Sequence, residues 1–277
     1  MSRRRSMPER VFVLTLLVVV TGIFLVPVLW TISGSLKTER EAFSIPPTLI
    51  PRAPTLANYR AVLTGPFERG LLNSVLVGIA STAATVFLAS LAAYAFSRYP
   101  YRGASTAFVG LLFLRMLPSV ALVVPYFLVM RSLHLIDTRA GLAIVYVSFQ
   151  LPYAVWFMKG FFDGIPRELD EAARIDGCTR LGTYVRIVLP LAAAGLSALA
   201  VFIFFLAWNE LLFALVLSRS AASKTIPVMI AEGISEYQIK WGQMSASALL
   251  YLIPSFLFYT LVLRYMLRGL TGGAVKG

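Results

Sequence analysis

Charge is what this sequence has least of. Of its 277 residues only 14% are Asp, Glu, Lys or Arg, against 58% from the set AVILMFWYC, whereas a water-soluble domain covers itself with about 25% charged residues. With a mean hydropathy of +0.78, the chain reads as one whose solvent is lipid. Acidic residues are scarcer still, 13 against 25 Lys and Arg, leaving a net charge of +12. That excess could signal nucleic acid, but a nucleic-acid binder does not also carry several apolar runs longer than about 18 residues. The basic residues instead fit topology setting and anionic lipid head groups, and no nucleic-acid partner is expected. A single cysteine, Cys178, excludes an internal disulfide framework and any cysteine-based metal or Fe–S cage. The lone His134 has no second His or Cys to help it bind metal and reads as a polar residue at a membrane surface. No Gly-x-x-x-x-Gly-Lys-Ser/Thr phosphate loop occurs, so ATP chemistry of that kind is not in this chain.

Six apolar segments can span a bilayer: residues 11–32, 71–96, 104–129, 141–162, 191–217 and 244–267. The first follows Ser2-Arg3-Arg4-Arg5 and resembles a signal peptide in its flank only. At about 33 Å of helix it outruns an h-region, so it is expected to be retained as an anchor. Only the fifth span carries an acid, Glu210, and only the third a central Arg, Arg115. With the N-terminus inside, fourteen Lys and Arg fall on the cytoplasmic side and ten on the other, five of them in the long loop 33–70 where the rule is weaker. Both termini are therefore expected in the cytoplasm. The organisation that follows is an N-terminal helix and outer loop over 1–70, a core transmembrane domain over 71–267 and a short tail over 268–277. Loop 33–70 is rich in Pro and expected to be ordered but mostly non-regular, and 218–243 is the second sizeable outer loop.

The inner loop 163–190 carries the most information. Pro166 suits a helix's first turn, and Glu168, Asp170 and Glu171 favour its positive end. Leu169, Ala172 and Ala173 then share one narrow apolar face. Gly177 is expected to stop the helix in a left-handed cap. Thr179 caps a second helix, in which Leu181, Tyr184, Val185 and Val188 recur at helical spacing until Pro190. The product is a helix–turn–helix hairpin whose small face would let another backbone approach, with Glu171 and Asp176 placed to pair with a partner's cations. From these residues alone, an amphipathic hairpin lying in the head groups fits equally well.

Glu171-Ala172-Ala173, three residues, Gly177, nine residues, and Ile187-Val188-Leu189-Pro190 resemble the EAA signature of permeases of binding-protein-dependent ABC importers. The likeness covers nearly the whole chain and is nearest to the maltose-type second permease of sugar importers, the trehalose importer of actinobacteria being one such relative. It includes Ser35-Leu36-Lys37, Asn73-Ser74, Trp208-Asn209-Glu210, Trp241-Gly242 and the tail Val275-Lys276-Gly277. Two departures are Cys178, where the family has a small Ala, and Ala194, where many relatives have Pro.

The resemblance implies an all-α integral membrane fold of six helices and a non-catalytic subunit. Its partners would be a homologous second permease, two ATPase subunits that bind ATP and Mg, and an extracytoplasmic sugar-binding protein. This chain itself would hold no cofactor and no metal. Glu168, Glu171, Ala172, Ala173, Asp176, Gly177, Leu181, Ile187 and Pro190 would form the ATPase-coupling surface. Val275, Lys276 and Gly277 would reach the ATPases, and Glu232, Glu236 and Trp241 would meet the binding protein. Arg115, Asn209 and Glu210 are candidates for the translocation path. Arg115 is costly in hydrocarbon and is expected to pair with a backbone carbonyl or with Glu210, or to line the path. Asn209 and Glu210 could bind sugar hydroxyls or hold helices together. A disaccharide of the trehalose or maltose kind is the expected substrate, with glycerol-phosphate, monosaccharide or oligosaccharide importers as alternatives. An ion-coupled secondary transporter fits less well, because Glu210 is the one acid well inside a span.

Overall fold

The computed structural model describes residues 7–99, 101–232 and 240–273. Among these the secondary structure is entirely helical. Helix α1 is Met7–Ser35, α2 is Glu39–Ala42, α3 is Ala57–Leu63 and α4 is Phe67–Arg98. Then come α5 (Ala104–Met116), α6 (Ser119–Ser132), α7 (Arg139–Asp163), α8 (Glu168–Ile175) and α9 (Arg180–Thr183). After a π turn over Tyr184–Val188 follow α10 (Leu189–Leu191), α11 (Ala193–Trp208), α12 (Leu212–Leu217), α13 (Ile226–Glu232) and α14 (Trp241–Gly273).

Four helices are long and apolar enough to cross a membrane singly, within α1, α4, α7 and α14. Two bent pairs bring the total to as many as six: α5 with α6, turned by 100°, and the Arg180–Leu191 stretch with α11, turned by 76°. The third expected span is therefore not one straight rod. Leu117 is extended before Pro118, as a residue preceding proline must be, and the helix breaks there. The fifth is also divided, because α11 stops at Trp208 and α12 starts at Leu212. Pro152 and Pro125, by contrast, sit inside unbroken helices. The outer loop expected over 218–243 contains α13, and the last helix runs six residues past the expected end at 267.

The chain forms two compact units, one from the residues up to Glu68 with Ile230–Tyr251, the other from Arg69–Met229 and from Leu252 onward. In the first, Ser35-Leu36-Lys37 is held by its own backbone and side chains. The Asn58 amide donates to the Ser35 and Lys37 carbonyls at 2.9 and 2.8 Å. Lys37 donates to the Thr48 carbonyl and sits 5.1 Å from the Trp30 ring centroid. Gly242 packs against Asn58 so closely that a Cβ there would lie 2.5 Å from the amide nitrogen. The loop between α2 and α3 is tied by Glu41, which accepts from the Arg52 backbone N–H at 2.7 Å; that bond holds its carboxyl below the usual range. Most of α1 is unburied, with Phe24 at 76% exposure, a surface suited to lipid or another apolar chain.

The second unit holds two apolar cores. Tyr94, Met158, Phe162, Tyr184, Val188 and Leu199 belong to one, bringing α4, α7 and α11 together beside the hairpin. Val77, Tyr146, Phe213 and Val228 belong to the other, near the opposite end of α4. At that end Asn73 is fully buried. It donates to the Ala221 and Lys224 carbonyls at 3.1 and 2.8 Å and accepts from Arg139 Nε at 2.7 Å. Ser74 accepts from the Ile226 N–H at 2.9 Å. Asp137 closes the same region, accepting from the backbone N–H groups of Arg219 and Ser220 at 2.9 Å each and from the Ser220 hydroxyl at 2.7 Å. Burial alone would raise its pKa, but these bonds and one from Ser223 outweigh it and hold the carboxyl well below the usual carboxylate range.

Candidate coupling hairpin and path residues

Helix α8 opens with Glu168, Asp170 and Glu171 in its first turn, where carboxylates meet unpaired N–H groups. It closes in a Schellman arrangement: the Cys178 N–H donates to the Ala173 carbonyl at 2.9 Å and the Gly177 N–H to the Arg174 carbonyl at 3.1 Å. Gly177 takes φ +86°, the left-handed conformation that side chains disfavour. Thr179 caps α9, accepting from the Gly182 N–H at 3.1 Å. The hairpin of the sequence reading is thus present, with Gly177 and Thr179 in their expected places. Pro166 precedes the helix instead of opening its first turn, since Arg167 is the residue before Glu168.

Its faces divide differently from the expected pattern. Ala173 is 2% exposed and packs inward, while Ala172, Glu168, Glu171, Asp176 and Gly177 are exposed. The most exposed apolar residues are Ile175, at 86%, and Leu181, at 65%, and Leu169 is exposed as well. In the second leg, Tyr184 and Val188 are buried while Val185 is exposed, because the π turn rotates the helix between them. Ile187 is half-buried and Pro190 exposed.

What sequence reasoning missed is how the hairpin is held. Asp170 accepts from the Tyr94 hydroxyl at 2.9 Å and forms an ion pair with Arg98 Nε at 2.9 Å, the two side chains only 14% and 5% exposed. Arg98 also donates to the Ile165 carbonyl and Arg167 to the Ser97 carbonyl, each at 2.9 Å. Ser97 donates to Asp163 at 2.7 Å, and the Ser90 and Tyr184 hydroxyls meet at 2.7 Å. Tyr94, Ser97 and Arg98 lie at i, i+3 and i+4, one face of α4. That spacing, beside a surplus carboxylate in the loop 163–190, was the available signal.

The path candidates do not come together as expected. Arg115 stacks its guanidinium 4.5 Å from the Phe149 ring centroid, and among the described residues it forms no ion pair with Glu210. Glu210 instead serves the break in the fifth span, accepting from the N–H groups of Phe213 and Ala214 at 2.9 and 3.0 Å. It thereby caps α12. The Asn209 amide donates to the Phe205 carbonyl at 2.8 Å from an exposed position. Of the candidate binding-protein contacts, Glu232 ends α13 and Trp241 begins α14, both exposed. Glu236, and the tail residues Val275, Lys276 and Gly277, lie outside the described residues. Among the described residues there is no cluster of His, Cys, Asp or Glu able to hold a metal ion.

Comparison with known proteins agrees with this architecture. The chain is 39% identical over 264 residues, 93% of its length and 94% of the relative's, to the trehalose transport system permease protein SugB of Mycobacterium tuberculosis. It is 34% identical to the trehalose/maltose transport system permease protein MalG of Thermococcus litoralis, covering 99% of each. It is also 36% identical to the sulfoquinovosyl glycerol transport system permease protein SmoH of Agrobacterium fabrum, covering 96% of this chain and 93% of that one. A crystal structure of a bacterial ABC transporter that imports the acidic polysaccharide alginate contains a chain of the same fold, with a TM-score of 0.81 at 23% identity, covering 95% of this chain and 99% of that chain. The model for the binding-protein-dependent transport system inner membrane component matches residues 85–272. With its long apolar helices and a hairpin set between the fourth and fifth spans, the chain belongs to that family of multi-pass inner-membrane components.

Proposed function

We propose that this chain is one of two permease subunits of an ATP-driven sugar importer, and that the hairpin converts closure of two ATPase subunits into movement of the spans. The observation that carries the reading is the hairpin's division of faces. Asp170 and Ala173 hold it inward, while Glu171, Ala172, Ile175, Asp176 and Leu181 stand exposed on a stiff, glycine-turned platform. Exposed carboxylates beside small and apolar side chains suit a docking cleft that offers cations and an apolar floor. With no phosphate loop in this sequence, ATP and Mg belong to the ATPases. Both termini and the hairpin are placed in the cytoplasm on the distribution of Lys and Arg.

On the opposite side, the loop between α12 and α14, with Glu232, Glu236 and Trp241, is assigned to a sugar-binding protein. Support comes from a fold relative at TM-score 0.69, an alginate ABC transporter solved with its substrate-bound periplasmic protein. The tail Val275-Lys276-Gly277 is assigned to the ATPase interface. For the substrate, a disaccharide of the trehalose or maltose type fits the names of two relatives. A sugar–glycerol conjugate is the alternative that a third supports. Asn209, exposed at the break in the fifth span, is the residue of this chain assigned to sugar hydroxyls. The sugar assignment is tested by reconstituting the four-subunit complex with its binding protein and measuring uptake of labelled trehalose, maltose and a glycerol glycoside. Copurified ATPases with trehalose or maltose uptake are expected. A solubilised chain that carries no ATPase and transports on an ion gradient alone would refute the reading.

A further inference from the structure

Among the described residues, every long helix but one has a proline within it or near a break. Pro27 lies in α1, Pro118 between α5 and α6, Pro152 in α7 and Pro254 in α14. Helix α4 has none and runs unbroken through 32 residues, so no proline hinges it. At 1.5 Å per residue it is a rod of about 48 Å. Both of its ends are tied to other elements of the second unit. At one end Tyr94 and Arg98 grip Asp170 of the hairpin, and Ser90 meets Tyr184 of the hairpin's other leg. At the other, Asn73 and Ser74 hold three backbone groups of the segment 221–226.

We infer that α4 is a push rod, with Asp170 and Asn73 as its two joints, carrying displacement of the hairpin to the segment 221–226 on the opposite side. The inference rests on the proposed docking of the hairpin on the ATPases. The hairpin's own chain connections run into α7 and, through a 76° bend, into α11, so a push along α11 would be partly spent in bending. The polar grip on α4 has no such bend behind it. A nearly buried ion pair is a poor device for stability alone, since apolar residues of similar volume hold such a joint as well. It is a good device for fixing one geometry, because the guanidinium reaches both Asp170 and the Ile165 carbonyl. Asn73 does the same at the far end with all of its amide, bonded to two carbonyls and to Arg139. Asp170 and Asn73 are thus positioning residues, and by linkage the rod works both ways: an event at the outer segment biases the ATPases as strongly as they bias it.

The test uses the assembled complex in lipid nanodiscs, with ATPase activity measured with and without sugar-loaded binding protein, and ATPase subunits retained on the permeases quantified. Asp170→Asn and Asn73→Ala should each retain the ATPases fully and lower the stimulation by binding protein about five- to tenfold, an ordinary coupling magnitude. Combined, they should be no worse than either alone, because both interrupt one element. Exchanging the charges, Arg98→Asp with Asp170→Arg, should restore most of the stimulation lost in Asp170→Asn. Full stimulation in either single variant, or losses that multiply in the double, overturns the inference. So does loss of bound ATPase in Asp170→Asn that the charge exchange does not repair, because Asp170 would then be a docking residue. Failure of the docking reading itself shows elsewhere: Glu171→Ala and Gly177→Val would leave both ATPase retention and uptake unchanged.

Discussion

Gly177 offers the sharpest separation of backbone strain from crowding. It holds φ +86° at the hairpin turn, and a Cβ built there meets no atom of this chain within 4 Å. Within the permease, then, substitution costs only the left-handed conformation, about 1–2 kcal/mol for an ordinary L-residue and less for Asn, which tolerates that region. Gly177→Val should lower the permease's own stability by no more than that, a downward shift of a few degrees in thermal unfolding for a chain of this size. Gly177→Asn should barely move it. If the turn also lies against an ATPase subunit, both side chains crowd the interface. ATPase association should then fall for Asn as well as Val, by more than the five- to thirtyfold that about 1–2 kcal/mol can supply. Thermal unfolding of the solubilised permease and quantitative pull-down of the ATPases read the two effects separately. Normal association and normal sugar uptake for Gly177→Val would refute the argument that this turn sits in the coupling interface.

Other expectations follow from single contacts. Removing the α12 cap with Glu210→Ala leaves two backbone N–H groups without their acceptor and should cost about 1–3 kcal/mol, while Glu210→Gln, which keeps one acceptor oxygen, should cost less; equal unfolding temperatures for Ala and wild type would remove Glu210 from that role. The Asp137 carboxyl is held below its unfolded value, so its contribution is complete above about pH 4, the unfolded range, and is lost as pH falls through the depressed folded value. Wild type should therefore lose stability below about pH 4 more steeply than Asp137→Asn, and parallel pH profiles would show that the tie contributes nothing. Arg115→Met keeps the contact with Phe149 and removes a charge that is expensive in hydrocarbon; folding yield should hold or rise, and a fall in uptake at constant assembly would assign Arg115 to the path, whereas unchanged uptake would exclude it.

The fold was legible in the sequence wherever one physical signal dominated. Apolar length located the long helices to within a few residues, and Gly177 and Thr179 marked the hairpin's turn and second start because a positive φ and an orphaned N–H each select few residue types. Two kinds of feature were not legible. Pro118 announces a break but not a 100° turn, since the angle depends on what α5 and α6 pack against. Glu210 was read as one candidate partner for Arg115, or as a path or helix-holding residue, yet its oxygens accept from the N–H groups of Phe213 and Ala214, which become donors only because the helix restarts there. Likewise the outward turn of Val185 depends on the π turn, and a repeat of 3.6 residues read through residues 181–188 misplaces it. Asp170 was read only as a favourable charge at a helix start, because Tyr94 and Arg98 are more than seventy residues away in sequence.

Several residues that gave the sequence its family resemblance outside the hairpin, with their neighbour Asn58, share a physical role. Asn58 binds the backbone of Ser35 and Lys37, Gly242 makes room for Asn58, and Asn73 and Ser74 bind the backbone of 221–226. The two asparagines and Ser74 satisfy main-chain groups outside the helical ladders, after α1 and between α12 and α13, where a membrane interface offers only partial hydration. Such residues specify how the chain turns back and are indifferent to what it carries. On the proposed function, reading of the substrate falls to other side chains, to the binding protein and to the second permease. In this chain it is assigned to Asn209, exposed beside the Glu210-capped break, whose amide also donates to the Phe205 carbonyl. Its replacement by Asp should change the ranking of transported sugars while leaving ATPase association intact, and an unaltered ranking would move sugar selection wholly to the partner proteins.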